Sequence, residues 1–289
     1  MNNIEILSTS LLDQHRPLVQ ALKKTAASLG LEFGWHYLLD LTWIISQLGE
    51  LPSKQIMDAG AGTGVMQWYL ASQGADATSV DRASRADLPL RFRSRYQVSG
   101  QRSTDLHPPG EVLRSQFSSG QYRAAARSLG SLLTGWLARK APGSITIYNQ
   151  DLRSLTDLPD NSFDAVVAVS SLEHNPPDNL APVVQEMMRV IKPGGLLLAT
   201  LGAGRDHDWY HEPSQGWCYT AASLRKAFDL PADTPDNYRD YDELFNQLKN
   251  NTELSTNLAS FYARSGKNGM PWGKWDPQYQ PVGVRKVKE

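Results

Sequence analysis

The stretch "MDAGAGTG", residues 57–64, places Asp58, Gly60, Gly62 and Gly64 between a short apolar run and the helical pattern "VMQWYLASQG". Glycines at a strand-to-helix turn let the backbone approach a ligand closely, with the N–H groups of the helix facing it. Asp81 closes the next apolar run, twenty-one residues after Gly60. A carboxylate there can accept hydrogen bonds from both hydroxyls of a ribose. These features point to an adenosine-containing cofactor.

Acid–base candidates follow the later apolar runs. His174 stands just past "FDAVVAVS", at the edge where open α/β sheets bind ligands. It is the first candidate base. "GRDHDWYHEPSQGW", 204–217, holds His207, Asp208, His211 and Glu212 among Trp209, Tyr210 and Trp217. Aromatics mixed with polar groups suit a sugar or another polyhydroxylated acceptor, and Asp208 or His211 is the second candidate base. The spacing His207-x-x-x-His211 holds a metal best on a helix. This segment does not read as one, so no metal site is expected. In "FGWHY", 33–37, one of Trp35, His36 and Tyr37 can reach a ligand, and core packing is expected for at least two of them.

The elements that must position these residues alternate. "QIMDAG", "ATSVD", "SITIYNQD", "FDAVVAVS" and "LLLATL" read as five strands, with helical patterns between them, which predicts a parallel α/β sheet. "FDAVVAVS" is nearly all apolar, as a strand buried on both faces must be. Residues 1–49 read as an N-terminal helical cap and 50–289 as the main domain. Two insertions interrupt that domain. Residues 82–142 separate strands two and three by more than a crossover needs, and 230–270 read as extra helices. The closing "YQPVGVRKVK" reads as an edge strand.

Residues 82–140 hold eleven Lys/Arg against three Asp/Glu. "YRAAARSLGSLLTGWLARK" is amphipathic, with Leu129, Leu132, Leu133, Trp136 and Leu137 assigned to one face. It suits a lid over the acceptor, a membrane surface, or a phosphate-bearing or lipid-linked substrate gripped by "RFRSRYQ". The whole chain has a formal charge of −1, which argues against nucleic acid as the main partner. Cys218 is the single cysteine, so no intrachain disulfide forms, and a reducing, cytoplasmic location is expected. No apolar run reaches the roughly 20 residues of a membrane span.

The glycine spacing is Gly60-Ala61-Gly62-Thr63-Gly64, one residue tighter at the end than the dinucleotide fingerprint. It resembles the acidic-x-Gly-x-Gly-x-Gly turn of class I S-adenosylmethionine-dependent methyltransferases. "NQDL" with Asp151 and Leu152, "FDAVVAVSSLEH" with Ser170 and His174, and "MMRVIKPGGLLLAT" resemble later segments of that family's small-molecule, type 11-like branch. The resemblance covers about residues 50–202. It implies a Rossmann-like seven-stranded sheet with helices on both faces, and S-adenosylmethionine as cofactor. Asp58, Gly60, Gly62 and Gly64 would then hold its methionine end, Asp81 its ribose and Asp151 its adenine, with Ala59, Arg82, Leu152 and Ser170 also at the cofactor site. The implied activity is O-methylation of a small-molecule or glycan-type acceptor, with His174, His211 or Asp208 as base. An NAD-type oxidoreductase and a non-catalytic subunit that binds a partner or RNA are the alternatives. Asn175-Pro176-Pro177-Asp178 resembles the Asn-Pro-Pro-aromatic motif of amino-methylating enzymes. It stands four residues late and lacks the aromatic, so helix capping by Asn175, with Pro176 at the first helical position, is expected.

Overall fold

The computed structural model describes residues 1–137 and 139–289, and the side chains of all of these except 134–137. Five strands run parallel at its centre: β2 (Gln55–Ala59), β3 (Asp76–Asp81), β5 (Ser144–Asn149), β6 (Phe163–Val169) and β7 (Ile191–Ala203). Their spatial order is β5-β3-β2-β6-β7. Numbered along the chain these five read 3-2-1-4-5, so the strand order reverses between β2 and β6. The turns after those two strands therefore open onto one crevice.

Side chains alternate across the sheet. Ile56, Val167 and Leu198 face one apolar layer, together with α2 (Arg16–Leu29), α3 (Tyr37–Leu48) and α4 (Val65–Ser72). Met57, Val166 and Leu197 face the other, with α8 (Pro177–Val190) and α9 (Ala221–Ala227). Both faces of β6 are thus covered, as its unbroken apolar run requires.

The sheet has ten strands rather than the seven expected. Residues 1–49 contribute more than helices. β1 (Asn3–Ile6) pairs antiparallel with β10 (Gln280–Val287), which pairs antiparallel with β7. β10 is therefore internal, not an edge strand. Ile4 and Ile6 are fully buried and supply the reason: an exposed apolar edge gains by being covered.

The 82–142 insertion is not all helix either. After α5 (Leu90–Arg93), β4 (Gln97–Gly100) extends the sheet beyond β5. α6 (Pro109–Ser118) and α7 (Tyr122–Leu137) then form a hairpin. Trp68 of α4 stacks on Phe92 of α5, with centroids 4.5 Å apart, and ties the insertion to the main domain. Residues 230–270 contain α10 (Tyr241–Lys249) and α11 (Thr252–Thr256). A short α1 (Leu11–Gln14) precedes α2, and β8 (Trp209–His211) and β9 (Gly216–Tyr219) form a hairpin held to the end of β7. Among the described residues no helix is long and apolar enough to cross a membrane.

Candidate functional site

A cleft of about 540 Å³ lies at the carboxyl ends of β2, β3 and β6. Its floor is the turn from β2 to α4. Gly60 has φ +73° and Gly62 φ +47°, values that side chains resist. A Cβ on Gly60 would sit 2.3 Å from the Cβ of Ser171, so the turn closes only around a hydrogen. The Gly60 and Ala61 N–H groups donate to the Val80 carbonyl at 2.8 and 3.0 Å. The Gly62 N–H donates to Oδ2 of Asp81 at 2.8 Å, and the Ala83 N–H to its Oδ1 at 2.8 Å. Asp81 is thereby fixed in the cleft wall, with further acceptor capacity on each oxygen.

The carbonyl side of the turn is held from below. Gln67 Nε2 donates to the Gly62 and Gly64 carbonyls, each at 3.3 Å. Arg85, a buried residue of the insertion, donates to the carbonyls of Gly62 at 3.2 Å, Ser79 at 2.7 Å and Tyr148 at 3.1 Å. It also donates to the Ser79 hydroxyl, which donates to Gln67 Oε1 at 2.7 Å. Burial lowers the pKa of Arg85, and nearby Asp81 and Asp58 oppose that shift. Sequence reading did not single Arg85 out, because nothing in a basic stretch marks which arginine turns inward. Arg85→Met leaves three carbonyls short of a donor. It is expected to lower stability by about 3 kcal/mol and the melting temperature by roughly 6–9 °C, read by calorimetry. An unchanged melting temperature would reduce Arg85 to a spectator.

Asp58 is 1% exposed, and its Oδ2 has no hydrogen-bond partner among the described residues. Burial pushes its pKa up to about 7; Arg85 pulls it down and Asp81 pushes it further up. A buried acceptor left unmade is costly unless a ligand supplies the donor. Asp58 lines the cleft together with Gly60, Gly62, Gly64, Asp81, Arg82, Asp151, Leu152 and Ser170. Ala59 does not: it is buried inside β2, and its carbonyl accepts from Ser171 Oγ at 2.8 Å. Asp151 lies in the cleft wall bound to Arg153, at 3.0 and 2.7 Å from its Nε and Nη2, and this holds the carboxyl below its usual range.

The opposite wall comes from the end of β6 and the start of α3. Ser170 has φ +46°, a strained value for a side chain with a Cβ. Its N–H donates to Thr200 Oγ1 at 3.1 Å, and its hydroxyl donates to Glu173. Glu173 is buried, its Oε2 has no partner among the described residues, and burial raises its pKa. His174 lines the cleft with Nδ1 at 2.9 Å from the Gln215 carbonyl. A carbonyl only accepts, so Nδ1 carries the proton. Nε2 then presents a lone pair when the ring is neutral. Phe33, Tyr37, Leu41 and Val169 complete an apolar wall, and Asn175 and Asn179 add amides.

Of the 33–37 segment, Tyr37 reaches the cleft, while Trp35 and His36 are core. His36 Nδ1 meets Asp40 Oδ2 at 2.7 Å. Burial, then Glu173 and Asp40, push the Tyr37 phenol well above its ordinary range.

The other two candidate bases stand elsewhere. Asp208 accepts from the Thr220 N–H at 2.7 Å and the Ser223 hydroxyl at 2.5 Å, which tethers the start of α9. His211 is buried in β8 against Tyr279, with Nδ1 at 2.7 Å from Ser214 Oγ, and burial lowers its pKa. Neither lines the cleft. Asn175 does not cap α8. That helix starts at Pro177 behind Pro176, and Asn175 Nδ2 donates to the Leu172 carbonyl at 3.0 Å. Among the described residues no three His, Cys, Asp or Glu side chains converge as a metal ion would require.

A family model described as a methyltransferase domain matches residues 112–199. That span runs from α6 to β7 and omits the glycine turn, which the long insertion sets apart in sequence. The chain is 28% identical over 157 residues to a ubiquinone biosynthesis O-methyltransferase of Albidiferax ferrireducens, covering 54% of this chain and 44% of that one. It thus spans less than half the length of that relative. Two solved structures are also similar. One is the 1,6-didemethyltoxoflavin-N1-methyltransferase of Burkholderia thailandensis: 12% identity, TM-score 0.43, 97% of this chain and 86% of that one. The other is the cyclase SpnF: 16% identity, TM-score 0.48, 100% of this chain and 99% of that one.

Proposed function

We propose that this chain is a class I S-adenosylmethionine-dependent methyltransferase that methylates a hydroxyl of a small acceptor carrying an apolar body. The observation that carries the reading is the buried, unpartnered Oδ2 of Asp58 in a glycine-floored cleft with Asp81. An α-ammonium group satisfies that oxygen, and ribose hydroxyls suit the spare lone pairs of Asp81. Leu152 and Asp151 border the space for an adenine ring. The cofactor, when bound, supplies a methyl group on a sulfonium centre that departs as a neutral thioether. The chain's own work is to align the acceptor, exclude water and take its proton. Phe33, Leu41 and Val169 give the acceptor an apolar wall, and His174, which lines the same cleft, takes the proton through Nε2.

A glycan-type acceptor loses the feature that favoured it, because Trp209, Tyr210 and Trp217 lie in the β8–β9 hairpin and do not line the cleft. The curated relative's name, an O-methyltransferase of quinone biosynthesis, agrees with a hydroxylated acceptor that has an apolar body. The buried thiol of Cys218 fits the reducing, cytoplasmic location that we also propose.

Calorimetric titration of S-adenosylhomocysteine tests the cofactor site. Micromolar binding is expected, weakened by Asp81→Ala by about 1–3 kcal/mol, or roughly fivefold to 150-fold. A screen of phenols, hydroxyquinols and sugars, read by release of S-adenosylhomocysteine, tests the acceptor. Cofactor binding without turnover on any acceptor would favour a non-catalytic subunit, and no binding by folded, ligand-free protein would remove the methyltransferase reading.

A further inference from the structure

The outer face of α7 is apolar, and nothing in the described structure covers it. Tyr122, Ala126, Leu129 and Leu133 stand at i, i+4, i+7 and i+11, one stripe along the helix. Tyr122 is 67% exposed, Leu129 43% and Leu133 75%. Phe117, 47% exposed at the end of α6, approaches Tyr122 at 6.5 Å between ring centroids and widens the patch. The neighbouring side of α7, about a quarter turn away, is the one that packs inward: Ala125 and Ser128 are buried. Leu132, assigned from sequence to the apolar face, is half-buried, and Trp136 and Leu137 lie outside the described side chains. The stripe spans about 16 Å at 1.5 Å per residue.

Charge narrows what this face can meet. The insertion holds eleven Lys/Arg against three Asp/Glu, although the whole chain has a formal charge of −1. Several of those cations are engaged by other groups of the chain. Arg85, Arg93 and Arg95 donate to backbone carbonyls, and Arg102 pairs with Asp105. Arg123 is exposed beside the stripe, one turn before Ala126, and Arg114 of α6 is exposed. Arg127 is exposed but lines a groove shared with α5 and α6.

A stripe of leucine and aromatic side chains beside arginines matches a surface with anionic headgroups above an acyl layer. A nucleic acid offers the charge but no apolar layer in which the leucines would lose water. A second copy offers the apolar face but brings like charges together. We propose that the α6–α7 hairpin docks the protein on anionic phospholipid bilayers, with Leu129, Leu133, Tyr122 and Phe117 in the interface and Arg123 against headgroups. This docking does not depend on the methyltransferase reading.

Vesicle flotation with the full chain tests it. Vesicles of about seven parts phosphatidylcholine to three parts phosphatidylglycerol are expected to carry the protein at low salt, and pure phosphatidylcholine about tenfold less. Leu129→Gln combined with Leu133→Gln is expected to lower partition to the anionic vesicles by about tenfold or more. Both positions are exposed, so the circular dichroism spectrum and S-adenosylhomocysteine response of the double variant should match the parent chain. Three results overturn the proposal: no flotation on anionic vesicles, flotation that the double variant leaves intact, or a dimer in sedimentation that the double variant abolishes.

Discussion

Replacing His174 by alanine is expected to cut turnover by about 10²–10⁴-fold while S-adenosylhomocysteine affinity stays within about twofold. The ring is held by one bond, Nδ1 to the Gln215 carbonyl at 2.9 Å, which leaves Nε2 as the basic nitrogen. No other imidazole lines the cleft. An acceptor hydroxyl gives up its proton as its oxygen attacks, so removing the base costs rate and not cofactor binding. His174→Gln keeps a side-chain amide in place without a comparable base, and should be nearly as slow. The measurements are kcat on an acceptor from the screen and calorimetric affinity on the same preparations. If His174→Ala keeps its turnover, the buried carboxyl of Glu173 becomes the next group to test, by Glu173→Gln. If affinity falls together with rate, His174 shapes the site instead of accepting the proton.

The glycine-floored half of the cleft, where we propose the cofactor binds, was legible in the sequence because its parts are local. Asp58, Gly60, Gly62 and Gly64 share one turn, and Asp81 closes the adjacent strand. A glycine with positive φ has few substitutes, so the chain shows the need directly. Parallel strands with buried faces announce themselves as apolar runs, and the five central ones were readable for that reason.

What was not legible depends on contacts distant in sequence. β1 was hidden in a four-residue segment, "NIEI", whose partner is β10 at the other end of the chain. Arg85 was one of eleven cations in a basic stretch until Ser79, Gly62 and Tyr148 surrounded it. Asp208 and His211 looked catalytic because they follow a central strand. β9 pairs with the end of β7 at Gly202 and Ala203, and neither Asp208 nor His211 lines the cleft. Sequence proximity to a strand end locates an edge of the sheet, but pairing decides which side chains face the ligand. The aromatics around Trp209 lie in the same hairpin and do not line the cleft either. Glu173 stands beside His174 with nothing local in the sequence to mark it as buried. Its burial follows from packing against the β9 segment, where a Cβ on Gly216 would lie 2.9 Å from the Glu173 Cγ.

Affinity for S-adenosylhomocysteine is expected to rise about tenfold between pH 6 and pH 8, and to level off above that. Asp58 is the cause. Burial raises its pKa in the free protein to about 7, from 3.8 for an ordinary aspartate. The ligand's α-ammonium binds the ionised carboxylate, so below pH 7 binding must first remove a proton, and each unit of acidity costs affinity. The free protein shows the opposite sign. Asp58 holds its proton more tightly when folded than when unfolded. Its contribution to stability is therefore fully present below about pH 4 and is lost as pH rises through about 7. Ligand binding and folding thus respond to the same carboxyl in opposite directions. Titrations in buffers of different ionisation enthalpy should show close to one proton released per ligand bound at pH 6 and little at pH 8. Asp58→Ala should weaken binding by about 3 kcal/mol, more than a hundredfold, at pH 8. It should also abolish both the proton release and the slope. A parent affinity flat across this range would mean that Asp58 is already ionised in the free protein, and the ammonium would need another partner in the cleft.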